Sequence, residues 1–204
     1  MREYKDLTEI FPNYLKFGNC VIRNIVTNNI IDSNIIKFYN YSSDLTKERA
    51  IFLSTKINDT VQCIMSSNLF ERLTNQNFIN SARGDVIVFG LGLGLILFPL
   101  LEDSEITSIT VIDNSIDIID TIGPIIKKYD VNDKLTIIQG DVFTYYQQLN
   151  ETQFDIMYFD YWNIVDRTIQ TDMETLKELY KNSIKETGQI MYWCEDLFTN
   201  GIIN

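Results

Sequence analysis

The stretch Val86-Ile87-Val88-Phe89-Gly90-Leu91-Gly92-Leu93-Gly94-Leu95 decides how the chain is read. Four consecutive apolar residues run into three alternating glycines and then into further apolar residues. That is the pattern of a buried strand turning sharply toward a helix. Glycine is needed where a backbone turns tightly or lets a ligand approach it closely. A helix opening directly after such a turn offers unpaired backbone N–H groups to that ligand. A tight turn that binds nothing has the same local signature, so the rest of the chain must separate the two.

Downstream of the glycines, short apolar runs alternate with helix-like segments. Residues 85–89, 108–113, 134–139, 154–160 and 189–194 read as strands. Residues 115–129 read as a helix with Ile116, Ile119, Ile122 and Ile126 on one face and a kink at Pro124. Thr171-x-x-Glu174 has the form of a capping box, opening a helix with Met173, Leu176, Tyr180 and Ile184 at helical spacing. Strands that are apolar throughout, separated by helices, predict an α/β fold. It is a Rossmann-like open parallel sheet with helices on both faces. Only five such strands fit before the sequence ends, so the sheet is shortened at its C-terminus.

Upstream, residues 1–66 read as a small β-rich N-terminal region, a lid or cover for the sheet edge, and residues 67–204 as the Rossmann-like domain. Residues 20–27, 35–41, 50–57 and 60–66 are its expected strands. Asn28-Asn29, Asp32-Ser33-Asn34 and Asn58-Asp59 supply the turn chemistry between them. Asn68 with Glu71 three residues on marks a helix start, and the helix runs to Asn80.

Composition removes several chemistries. The chain has no histidine, which excludes Ser-His-Asp and Cys-His nucleophile pairs and His-ligated metal sites. Any proton it moves passes through carboxylate, tyrosine, cysteine, lysine or water. With 28 acidic against 17 basic residues and a net charge of -11, it is poorly suited to nucleic acid, where affinity comes largely from Lys and Arg on phosphates. Cys20, Cys63 and Cys194 lie far apart with no metal-ligand spacing, so no metal site is expected and the thiols read as reduced. The N-terminus lacks the apolar core of a signal peptide, and the longest apolar run, Leu91 to Leu101, is about half a membrane span. A cytoplasmic protein without membrane contact is expected. The edge strands are compatible with a homodimer.

The candidate site residues lie at strand ends. Asp113 closes the second strand nineteen residues after Gly94, close to the spacing at which an acid meets an adenosine ribose. With Asn114 and Ser115 it is equally suited to capping the next helix. Asp141, in Gln139-Gly140-Asp141-Val142-Phe143, closes the third strand, placed to accept from an adenine amino group. Asp160 closes the fourth and is followed by Tyr161 and Trp162, either an aromatic wall for a ligand or plain core. In an open parallel sheet, ligands bind outside the carboxyl ends of the strands, so these acids share one crevice with the glycines. Asp166, Asp172, Glu195 and Asp196 read more simply as solvated acids. The third glycine comes one residue early for a dinucleotide turn. That spacing, and to a lesser degree the negative charge, lean toward the cation S-adenosylmethionine (SAM) rather than a pyrophosphate.

These motifs together resemble the class I SAM-dependent methyltransferases, with the look of the spermidine synthase-like branch and its small bacterial and phage relatives. The likeness covers roughly residues 61–196. It rests on Met65-Ser66-Ser67, Ala82-Arg83-Gly84-Asp85, the glycine turn, Ile109-Thr110-Val111-Ile112-Asp113, Gln139–Phe143 and Phe154–Asp160. The resemblance implies Gly90, Gly92 and Gly94 under the amino-acid portion of SAM, Asp113 with Asn114 at the ribose, and Asp141 with Val142 at the adenine. It places Asp160 at the reacting centre, assisted by Tyr161 or Tyr158. Val88 and Leu93 stand where relatives often carry acids. The implied activity is methyl transfer to a small-molecule acceptor, for which the acidic chain suits a cation. The alternatives are aminopropyl transfer from decarboxylated SAM and a catalytically silent binding module.

Overall fold

The structure is a computed structural model that describes residues 2–28, 33–39, 47–57, 59–149, 153–163 and 168–202. The expected turn residues Asn29, Asp32 and Asn58, the end of the 35–41 segment, and Asp166 lie outside the described residues.

The chain from Gly84 onward forms five parallel strands: β5 (Gly84–Phe89), β6 (Ile106–Asp113), β7 (Leu135–Gln139), β8 (Phe154–Phe159) and β9 (Ile184–Tyr192). Their order across the sheet is β7-β6-β5-β8-β9, so the direction of winding reverses between β5 and β8. Side chains alternate across the sheet, and both faces are covered. Val86, Val88, Ile156 and Tyr158 face one core, and Ile87, Phe89, Met157 and Phe159 face the other. The first core is closed by α3 (Leu69–Ser81), α4 (Leu97–Leu101) and α5 (Ile116–Lys127), and the second by α6 (Thr168–Tyr180). Fully burying one Leu, Ile or Phe side chain contributes roughly 1.5–3 kcal/mol, so these two layers hold the strand ends in fixed positions.

The N-terminal residues form a separate antiparallel sheet, β1 (Tyr14–Phe17), β2 (Cys20–Asn28), β3 (Lys47–Ile57) and β4 (Thr60–Ser66), in sequence order. Among the described residues it adds no strand to either edge of the parallel sheet. A short helix α1 (Leu7–Ile10) precedes it, and α2 (Ser33–Phe38) interrupts it. The strand expected over 35–41 is thus helical where it is described. Its apolar residues Ile35, Phe38 and Tyr39 fall at i, i+3 and i+4 and pack on the core together, a period of 3.6 rather than 2.

Three helix expectations also change. In α5 the buried residues are Ile118, Ile122 and Ile126, while Ile116 is exposed, and the helix runs on through Pro124. Thr171 lies inside α6 rather than capping it, because the helix already starts at Thr168. Ile184 begins β9 instead of continuing the helix. That strand carries extra residues between Ile184 and Gln189 opposite Phe154–Ile156, which hid its start behind Lys-Glu-Thr-Gly. Among the described residues, no helix is long and apolar enough to cross a membrane.

Candidate functional site

The carboxyl ends of β5, β6 and β8 converge where the winding reverses, the place where a crevice opens in folds of this kind. A cavity of about 290 Å³ lies there. Gly90, Gly92, Asp113, Asn114, Val142, Asp160 and Tyr161 all line it, so most of the residues singled out from sequence come together.

The glycine turn explains itself locally. All three glycines have positive φ (Gly90 +114°, Gly92 +49°, Gly94 +68°), which side chains adopt only with strain. A Cβ on Gly90 would overlap the Asp160 carbonyl, and one on Gly92 would overlap the Met65 sulfur. Gly94 differs. Its Cβ would strike Ile126 on α5, so it serves helix packing and does not line the cavity. The helix that follows starts only at Leu97 and has five residues, so the expected row of free helix-terminal N–H groups is not what the turn presents.

Asp113 holds this turn. Its carboxylate accepts from the Leu91 N–H (2.7 Å) and the Ser115 N–H (2.8 Å), and burial pushes it above the usual carboxylate range. Asp141, by contrast, is exposed and outside the cavity lining. Its carboxylate accepts from the Phe143 N–H (2.9 Å), and its neighbours Gly140 and Val142 reach the cavity instead.

Asp160 faces the cavity in an acidic setting, where burial pushes its carboxyl up to about 7. Glu71, on the first turn of α3, lines the same cavity. Its carboxyl lies well above its ordinary value, first because it is buried and then because of the Asp160 charge, and the Ser66 N–H offsets part of that. Sequence reasoning read Glu71, with Asn68, only as a mark of the helix start. Asn68 does cap α3, accepting from the Glu71 N–H at 3.1 Å, but the Glu71 side chain turns into the site. The helix-start pattern was a true signal that concealed a second use.

Tyr161 and Trp162 both line the cavity, and both are tied down by one acid. The Tyr161 hydroxyl (2.7 Å) and the Trp162 indole N–H (3.0 Å) donate to Asp172 on α6. The Tyr161 hydroxyl is therefore committed to Asp172, which is more than the solvated acid expected from sequence. Tyr158 is outside the cavity lining, where its hydroxyl donates to Asn75 (2.7 Å) and its ring stacks on Phe78. Glu195 and Asp196 line a second cavity of about 230 Å³, where Asp196 accepts from the Tyr39 hydroxyl at 2.8 Å. The remaining wall, Cys20, Thr55, Ile64 and Met65, comes from the N-terminal sheet. Of those four, only Met65 falls in a stretch that carried the resemblance, Met65-Ser66-Ser67.

No protein-family profile matches the chain, and no curated protein sequence matches it. Among solved structures, it is similar to the spermidine synthase from Thermotoga maritima, with TM-score 0.50 and 16% identity over 73% of this chain and 55% of that one. It is also similar to a spermidine synthase in complex with the transition state analogue AdoDATO, with TM-score 0.50 and 15% identity over 77% of this chain and 56% of that one. The fold is that of spermidine synthase. A putative caffeoyl-CoA O-methyltransferase from Staphylococcus aureus matches at TM-score 0.45 and 14% identity, over 66% of this chain and 63% of that one. The chain thus spans 55–63% of the length of these three proteins.

The residues present suit an adenosyl sulfonium. Phe89, Ile112, Ile118 and Val142 give apolar surface for a nucleoside, and Asp113 supplies a carboxylate beside them. Glu71, Asp113 and Asp160 place negative charge around a site that would take a cation. Among the described lining residues there is no Lys or Arg.

Proposed function

We propose that the protein transfers an alkyl group from SAM, or from its decarboxylated form, to the amine of a small cationic acceptor. The observation that carries this reading is the pair of buried carboxyls, Glu71 and Asp160, in one cavity at the winding reversal of this fold. In such a reaction the sulfonium supplies a carbon already activated for displacement. The chain has to hold the acceptor nitrogen in line, keep water out and take one proton.

Phe89, Val142, Tyr161 and Trp162 form the apolar and aromatic walls that exclude water, with Asp172 fixing the last two. Asp113, with Asn114, is the group for the ribose hydroxyls. A carboxyl poised near neutrality is well matched to accept a proton from an amine and release it to solvent. Asp160 does this in its ionised form. As the nitrogen–carbon bond forms, the carbon–sulfur bond breaks with its electron pair on sulfur, and the surplus ammonium proton passes to Asp160. Glu71, whose carboxyl is pushed well above its ordinary value by burial and by the Asp160 charge, shares the site with it.

Methyl transfer is one form of this reaction. Aminopropyl transfer from decarboxylated SAM is the second, favoured by a lining that has three acids and no described base. Calorimetry with SAM, S-adenosylhomocysteine, decarboxylated SAM and methylthioadenosine tests the proposal. Binding of at least one below 100 μM is expected, and no heat from any of them at millimolar concentration refutes it. Asp160→Asn is expected to retain binding and lose turnover at least a hundredfold.

A further inference from the structure

The N–H groups of the glycine turn are nearly all spoken for within the chain. Gly90 donates to the Ile112 carbonyl at 2.8 Å, Leu91 to the Asp113 carboxylate at 2.7 Å, and Gly94 to the Leu91 carbonyl at 2.8 Å. The Gly92 N–H faces the same Asp113 carboxylate. Leu93 is the exception in kind: its N–H donates to the Met65 sulfur at 3.1 Å. A thioether is a weak acceptor on a flexible side chain. It is the weakest acceptor among the partners of the turn, and so the one a ligand displaces most readily.

Met65 is held there by a feature of β4. Leu53 pairs with Met65 but Ser54 pairs with Cys63, so Ile64 is an extra residue in the strand. Bulges of this kind re-aim side chains, often beside active sites. Here the bulge lets two consecutive residues, Ile64 and Met65, line one cavity, where regular pleating would send them to opposite faces. Met65 is almost fully buried, and its sulfur lies over Gly92 so closely that a Cβ there would overlap it.

We propose that Met65 is a thioether latch on the glycine turn, and that it makes the site select adenosyl ligands lacking an α-carboxylate. This rests on the adenosyl-donor reading above. A carboxylate tail has one N–H of the turn to gain, that of Leu93, and must displace Met65 to reach it. It also enters a lining whose charged members are Glu71, Asp113 and Asp160, with no described cation to pair with. An ionised group buried without a partner is strongly disfavoured. A ligand ending in a primary amine leaves the latch closed and meets a lining of three acidic side chains.

SAM and decarboxylated SAM differ by that single carboxylate, so their affinities read the latch directly. Calorimetry on the wild-type chain is expected to show decarboxylated SAM binding at least tenfold more tightly. Met65→Ala is expected to bring the two within threefold, by strengthening SAM rather than weakening its counterpart. Should Met65→Ala fail to fold, Met65→Leu keeps the volume and removes only the sulfur acceptor. It is expected to strengthen SAM binding at least threefold and leave decarboxylated SAM unmoved. Equal wild-type affinities, or a ratio unchanged by whichever variant folds, overturn the latch while leaving the adenosyl reading intact. No binding by either compound overturns both.

Discussion

Replacing Asp160 by Asn removes a charge that the fold penalises, so the resulting change in stability has to depend on pH. In an unfolded chain an aspartate ionises near pH 3.9. In the folded protein Asp160 ionises at about 7. Between these values the folded state holds a proton that the unfolded state has lost, so stability falls as pH rises. Below about pH 4 both states are protonated and there is no penalty. Above about pH 7 both are ionised and the penalty is complete. Between about 3.9 and about 7, at roughly 1.4 kcal/mol for each step of one pH unit, the penalty amounts to about 4 kcal/mol, an upper figure because Asp160 keeps some contact with the open cavity. Asparagine cannot ionise. The variant is therefore expected to match wild type within about 1 kcal/mol at pH 4 and to exceed it by 2–4 kcal/mol at pH 8. Urea unfolding at unit steps across that range, with the slope m checked for constancy, measures the difference. Parallel pH profiles for the two proteins would refute the assignment of Asp160 as a buried, destabilised carboxylate.

Gly90→Ala forces a Cβ into the Asp160 carbonyl at a φ of +114°, and a loss of at least about 2 kcal/mol is expected by the same unfolding assay; an unchanged midpoint contradicts it. Tyr158→Phe leaves the buried Asn75 oxygen without its donor, which costs about 1–3 kcal/mol. Turnover should stay within twofold, and a large loss of rate at unchanged stability would return Tyr158 to the chemistry. Asp172→Asn weakens the anchor shared by Tyr161 and Trp162, so tryptophan emission should shift and adenosyl affinity should drop roughly fivefold. Identical spectra and affinity would show that the anchor is unimportant.

The parallel sheet was readable because its strands, the polar start of β9 apart, are short, apolar and bounded by turn residues. The burial that covers both faces of a strand leaves its mark directly on composition. The glycine turn was readable too, since positive φ at three alternating positions admits little else. Errors cluster where two periods compete or one residue has two uses. The run Ile35–Tyr39 is apolar enough for a strand, and only packing showed that Ile35, Phe38 and Tyr39 share a helical face. Asp172 was read as a solvated acid because nothing local announces that two aromatics eleven and ten residues earlier will donate to it.

By itself the sequence determined the sheet, the turn and the acids at three strand ends, since these follow from local pattern and from the rule that parallel strands release their chains on one side. Tertiary structure alone decided what surrounds them. It brought Glu71 into one cavity with Asp160, left Asp141 outside it, and laid Met65 from another sheet across the glycine turn. Local pattern reports backbone conformation and burial. Which carboxyl shares a cavity with which depends on contacts between residues far apart in the chain, and no local period records those.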